Sequence, residues 1–182
     1  MHLRWATVVA LLAMPALAQD APPSVSVLLM LKLVTYDQAL ATRGTGDFVV
    51  AIPYEKSQTK ALDEVLLAAK GLPQTRIASR ALRFVSVSDP GDDAKLAKAL
   101  DEEAPAALLV LPGSSRTAAY TRLAREKKLY TLAVSAADAE LFALFGVTTK
   151  DGKPLPVVNL AAARELGVQL PSSVLKISKT VQ

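Results

Sequence analysis

Cysteine is absent from all 182 residues, and histidine occurs once, as His2. Without cysteine there can be no disulfide, no thiol switch and no lipoprotein anchor, so the fold has to be held by an ordinary apolar core. The lone histidine lies in a segment that reads as a cleavable signal peptide, residues 1–18. It has a basic start at His2 and Arg4, an apolar run over 5–14, and the small-residue pattern Ala16-Leu17-Ala18. That run falls short of the ~20 residues a membrane span needs, so no transmembrane segment is expected in the mature chain. The mature protein, residues 19–182, is expected in the periplasm as a single domain.

Removing the only imidazole excludes the Ser-His-Asp and Cys-His nucleophilic systems and takes the preferred ligands from common zinc sites. An enzyme would have to work with carboxylates, lysines and hydroxyls alone, and none is expected here. Charge is no stronger a guide. Twenty-one basic against 17 acidic residues give a formal +4, one less once Arg4 leaves. This is too mild a bias for a nucleic-acid partner.

What is present is an alternation of short apolar runs with amphipathic stretches. Residues 25–40 read as helix or strand, with helix favoured, and residues 42–46 (TRGTG) form a turn. The run 48–52 is a buried strand ended by Pro53. Leu62, Val65, Leu66 and Ala69 recur at helical spacing, with Gly71 as the stop. Three more strand runs follow at 82–87, 106–111 and 130–134. Between them lie a helix opened by Asp89-Pro90 and another over 117–127.

This order predicts an α/β fold: a single three-layer domain, a mostly parallel sheet with helices on both faces, and an edge β-hairpin. The hairpin spans 145–158 and turns at Asp151-Gly152. Asn159 is expected to cap a short helix closed by Gly167, and Ser172 or Ser173 to cap a last helix reaching Lys179.

Three groups of residues could contact a ligand or partner. The turn Gly113-Ser114-Ser115-Arg116 follows a buried strand and opens a helix whose free amides could hold an anion. Equally, the serines could simply cap that helix. Arg122 and Arg125, with Lys127 and Lys128, end the same helix. They either oppose its dipole or form a docking patch for an acidic surface. Tyr36, Asp37 and Arg43 form either a surface turn or one edge of a binding face. No cofactor is expected. Gly44-Thr45-Gly46 precedes a strand rather than linking strand to helix, and Gly152-Lys153 continues into proline, so neither is a nucleotide-binding loop.

The run Val157-Val158-Asn159-Leu160-Ala161-Ala162-Ala163-Arg164-Glu165-Leu166-Gly167, continued by Ser172-Ser173-Val174-Leu175, resembles the end of the YfiR-type periplasmic proteins. Residues 107–111, 129–135 and 145–158 are similar to that family's strands, and the likeness extends over about residues 25–180. The resemblance implies a non-catalytic α/β regulator, often a homodimer. Its partner would be a membrane-bound signalling protein, such as a diguanylate cyclase or sensor kinase, with an influence on biofilm formation. This chain departs from the family in lacking cysteine, and in carrying Leu33-Val34-Thr35-Tyr36-Asp37 where an aromatic Phe-x-x-Trp-like stretch is common. A small-molecule binding domain, like one lobe of a periplasmic solute receptor, is the alternative reading.

Overall fold

The computed structural model describes residues 20–182; the expected signal segment lies outside them. Helix α1 (Pro23–Thr35) begins with proline in its first turn, where a missing N–H costs nothing. It buries Val27, Met30, Leu31 and Val34. After β1 (Phe48–Tyr54) come α2 (Thr59–Lys70), β2 (Arg76–Ile77), β3 (Arg80–Ser88) and α3 (Asp93–Glu103). The next units are β4 (Ala107–Val110) with α4 (Thr117–Glu126) and β5 (Tyr130–Ala133) with α5 (Ala136–Leu141). The hairpin β6 (Phe145–Lys150) and β7 (Lys153–Asn159), α6 (Leu160–Leu166), α7 (Ser172–Lys176) and β8 (Lys179–Val181) complete the chain.

All eight strands join one sheet in the order β2-β3-β1-β4-β5-β6-β7-β8. The neighbours β3-β1-β4-β5-β6 and β7-β8 are parallel, while β2-β3 and β6-β7 are antiparallel. Alternating residues divide the core between the faces. Phe48, Val50, Ile52, Leu109, Leu132 and Phe145 point to α1, α2, α6 and α7. Ala51, Leu108, Val110 and Ala133 meet Leu96, Leu100, Tyr120 and Leu123 of α3 and α4. The central strands are therefore covered on both sides, the three-layer α/β arrangement expected from their unbroken apolar runs.

Local chemistry fixes the ends of the elements. Asn159 Oδ1 accepts from the Ala162 amide at 3.0 Å, and Gly167 closes α6 at φ 69°, a left-handed conformation that suits glycine. Gly146 has another role: a Cβ there would lie 2.1 Å from that of Ala139, so its bare backbone lets α5 lie directly on β6.

Several expectations need correcting. Strand β1 runs through Pro53 to Tyr54. The odd-numbered residues of β1 turn their polar groups toward β4, as the Ala106 N–H···O Val49 bond shows, and register with β4 is confined to Val50 and Ala51. Proline at 53 therefore breaks no bond to β3. Helix α3 starts at Asp93, not at Asp89-Pro90. Asp92 is its cap, accepting from the Lys95 amide at 2.9 Å, and the Asp89 carboxylate is engaged elsewhere. The hairpin is not the sheet margin, because residues 179–181 form β8 outside β7. The last helix accordingly ends at Lys176, and neither Ser172 nor Ser173 caps it; Pro171 stands at that position.

Candidate functional site

From β1 the chain crosses to β3 on one side, whereas β4 and β5 lie on the other, so the winding reverses between β1 and β4. Sheets of this type hold ligands beyond the carboxyl ends of the strands at such a reversal. Here that place lies between Glu55, just after β1, and the turn Gly113-Ser114-Ser115-Arg116 after β4. Gly113 makes the turn at φ 72°.

That position is occupied by a carboxylate of the protein itself. Glu55 Oε1 accepts from the Ser114 hydroxyl at 2.8 Å and the Ser115 amide at 2.9 Å, and Oε2 accepts from the Ser115 hydroxyl at 2.6 Å. The side chain of Gln58 fixes the approach. Its Oε1 accepts from the Glu55 amide at 3.1 Å, and its Nε2 donates to Pro112 O at 3.2 Å. The hydrogen bond from the Ser115 hydroxyl, with those from Ser114 and the backbone, outweighs burial and holds the Glu55 carboxyl below the usual range. The serines therefore do not cap α4. Arg116, not a serine, occupies the cap position of α4, its amide donating to Ser114 Oγ at 3.1 Å, while the serines grip a carboxylate.

Arg116 itself turns toward the end of β3. Its Nε lies 2.6 Å from Asp89 Oδ2, a charge contact not aligned as a hydrogen bond. Its Nη2 reaches Asp93 at 2.5 Å and Nη1 the Gly91 carbonyl at 2.9 Å. Buried Tyr120 donates to Asp89 Oδ2 at 2.7 Å, and burial together with that carboxylate pushes its phenol well above the ordinary value. Burial likewise raises the Asp138 carboxyl in the first turn of α5, against lowering hydrogen bonds from Thr117 and Ser135. At the same end of the sheet Asp20 Oδ1 accepts from the Ala136 amide at 3.0 Å. Helices α3, α4 and α5 are each met at their starts by a carboxylate of the chain itself.

The other expected contact residues do not join this site. Asp37 and Arg43 lie at the amino ends of the strands. Asp37 is buried and accepts from Arg43 Nε at 2.8 Å, the Tyr130 hydroxyl at 2.7 Å, and the amides of Ala39 and Gln169 at 3.0 and 2.9 Å. Arg43 also donates to Leu166 O at 2.8 Å and lies over the Tyr130 ring. This pair is a structural clasp; only Tyr36, 48% exposed, remains open to solvent. Arg122 pairs with Asp93 and Glu126, and Arg125 with Glu165. The cations that end α4 are therefore largely balanced on the surface. Sequence reasoning missed Glu55, Gln58 and Asp89, whose roles depend on partners that lie far along the chain.

Replacing Glu55 with alanine should cost about 1 kcal/mol, the worth of partly exposed hydrogen bonds to a charged acceptor. Because the folded-state pKa is depressed, this contribution is complete above the ordinary glutamate pKa and disappears as pH falls through the folded value. Denaturant melts of both chains across the acid range should converge at low pH.

No family profile and no curated protein matches the chain. Solved structures do. The chain aligns with the ABC domain in complex with L-Trp from Streptococcus pneumonia at 15% identity and TM-score 0.58, over 88% of this chain and 62% of that one. A ligand-free, open substrate-binding protein with adhesive properties from Clostridium difficile aligns at 13% and 0.56, over 80% and 58%. A conserved domain protein from Vibrio cholerae aligns at 13% and 0.61, over 90% and 61%. The chain spans about three fifths of each of these proteins. At such identities the likeness is one of fold alone.

Proposed function

We propose that this chain is an exported, non-catalytic binding domain that takes a small carboxylate-bearing solute in the crevice between β1 and β4. The observation that carries the reading is the set of three convergent donors from Ser114 and Ser115, built at the ligand-holding position of this architecture and already shaped around a carboxylate. A solute carboxylate would take over these bonds as Glu55 swings aside. A periplasmic location accords with the signal-like leader, and the absence of imidazole and thiol accords with binding rather than catalysis.

The test is thermal stabilisation by a panel of amino acids and small carboxylic acids, on the native chain and on Glu55→Ala. A hit should stabilise Glu55→Ala more strongly, since no internal carboxylate competes, and Ser115→Ala should lose the effect. Absence of stabilisation in both the native chain and Glu55→Ala would sink the proposal.

A second reading, regulation by protein contact, is favoured by a different observation: the helix starts around the crevice are already satisfied from within. An apolar groove of about 570 Å³ between α1 and α2 offers contact area instead, with Leu67 72% exposed on its rim. On this reading the chain is a YfiR-type regulator of a membrane-bound signalling protein. Capture of a single cyclase or kinase from a membrane extract, with no solute effect, would favour it over the first.

A further inference from the structure

We propose that the free edge of β3 is a self-association surface on which a second copy of this chain pairs antiparallel, about a two-fold axis at Ser86. The direction of the backbone groups comes first. The Leu82 amide donates to Thr75 O at 2.9 Å on the side away from β1, while the Asp89 amide donates to Tyr54 O at 2.9 Å on the β1 side. With a period of two, the amides of Phe84, Ser86 and Ser88 point away from the sheet. Strand β2 covers only Arg80 and Ala81, and among the described residues no strand pairs with the outer side of 84–88.

Exposed edges are usually blunted by charge, proline or a covering element. The opposite margin is guarded in this way. Strand β8 covers Val157–Asn159, and beyond it Pro154 and Pro156 occupy alternate positions of β7. The stretch Phe84-Val85-Ser86-Val87-Ser88 has neither charge nor proline, and its Phe84, Val85 and Val87 favour strands. Such an edge is a ready template for pairing with another strand.

A second copy fits this edge for two reasons. The open segment is bounded by Leu82, whose outward amide is taken, and by Pro90, which has none, so its centre is Ser86. Antiparallel pairing there sets Val85 of one copy opposite Val87 of the other, on the α3 face, and forms about six backbone hydrogen bonds. The charges also choose the direction. Arg76 and Arg80, which have no carboxylate partner among the described residues, lie at the amino end of β3, and Asp92 lies beyond its carboxyl end, whereas Asp89, Asp93 and Arg83 are already paired internally. Antiparallel pairing sets Arg80 of one copy near Asp92 of the other, and parallel pairing would oppose like charges. The inference stands whether the crevice binds a solute or not.

The purified chain should run at twice its monomer mass in light scattering coupled to size exclusion. Ser86→Pro should be monomeric with a nearly unchanged melting temperature, because the amide it removes makes no bond within the chain. Since the protein has no cysteine, Ser86→Cys supplies a direct geometric check. Two-fold partners in a hydrogen-bonded antiparallel pair have Cα atoms about 5.5 Å apart, within disulfide reach. This variant should cross-link fully on mild oxidation, and Leu67→Cys, on the exposed side of α2, should not. A monomeric native chain at sub-millimolar concentration, a Ser86→Pro variant that stays dimeric, or cross-linking at 67 in place of 86 would overturn the proposal.

Discussion

Asp37→Ala should be among the most damaging single substitutions in the protein, lowering stability by about 3–5 kcal/mol, the usual cost of removing one partner from a buried ion pair. The Asp37 side chain is fully buried and its four donors come from three separate parts of the chain. Alanine would leave the Arg43 guanidinium and the Tyr130 hydroxyl facing an apolar void. Asp37→Asn would be little better, because an amide nitrogen would meet donors on at least one side. Burial alone would raise the Asp37 carboxyl. The Gln169 amide, the Tyr130 hydroxyl, the Ala39 amide and the Arg43 charge outweigh it and hold the group below the ordinary aspartate range. Its contribution is therefore complete above the unfolded pKa and is lost as pH falls through the depressed folded value. Urea melts as a function of pH should show an acid limb in the native chain that is flattened in Asp37→Asn.

Gly146→Ala should be nearly as severe, by a different mechanism. The added methyl would overlap Ala139 Cβ and also lie 3.1 Å from Ala139 Cα and 3.2 Å from the Ala133 carbonyl. These are backbone neighbours on two elements, so α5 would have to lift off β6. Overpacking of this kind costs about 1–3 kcal/mol, and more where no side chain can give way. A double-mutant cycle checks the cause. Ala139→Gly alone should be mildly destabilising, whereas Gly146→Ala combined with Ala139→Gly should recover much of the loss. If the two penalties simply add, the contact is not the reason.

The layers of the fold were legible because the signals are local and strong: the five-residue apolar run at Phe48–Ile52, the helical spacing of Leu62 and Val65, and the Asp151-Gly152 turn each identify an element. Strand β8 was not legible. Lys179-Thr180-Val181 has no strand pattern of its own and becomes one only because β7 presents free backbone groups beside it. Helix α5 is six residues long, too short for periodicity to register. The candidate site divides in the same way. The turn at Gly113–Arg116 was visible from its neighbours in sequence. Glu55, which fills the turn, was not, because its 59- and 60-residue separations from Ser114 and Ser115 are set by sheet order alone. The same limit left Asp37 and Arg43 open between a surface turn and one edge of a binding face. Their burial is imposed by Tyr130 and Gln169, far along the chain.

That last connection has a temporal meaning. Helix α1 leads the described chain, yet the carboxylate just beyond it is satisfied by an amide 132 residues later. Helix α1 can dock on α2, β6 and β7 as soon as these are in place, but the Asp37 carboxylate just after it gains its full set of donors only when the segment after α6 joins. The clasp thus makes the sealing of the segment after α1 conditional on the segment after α6.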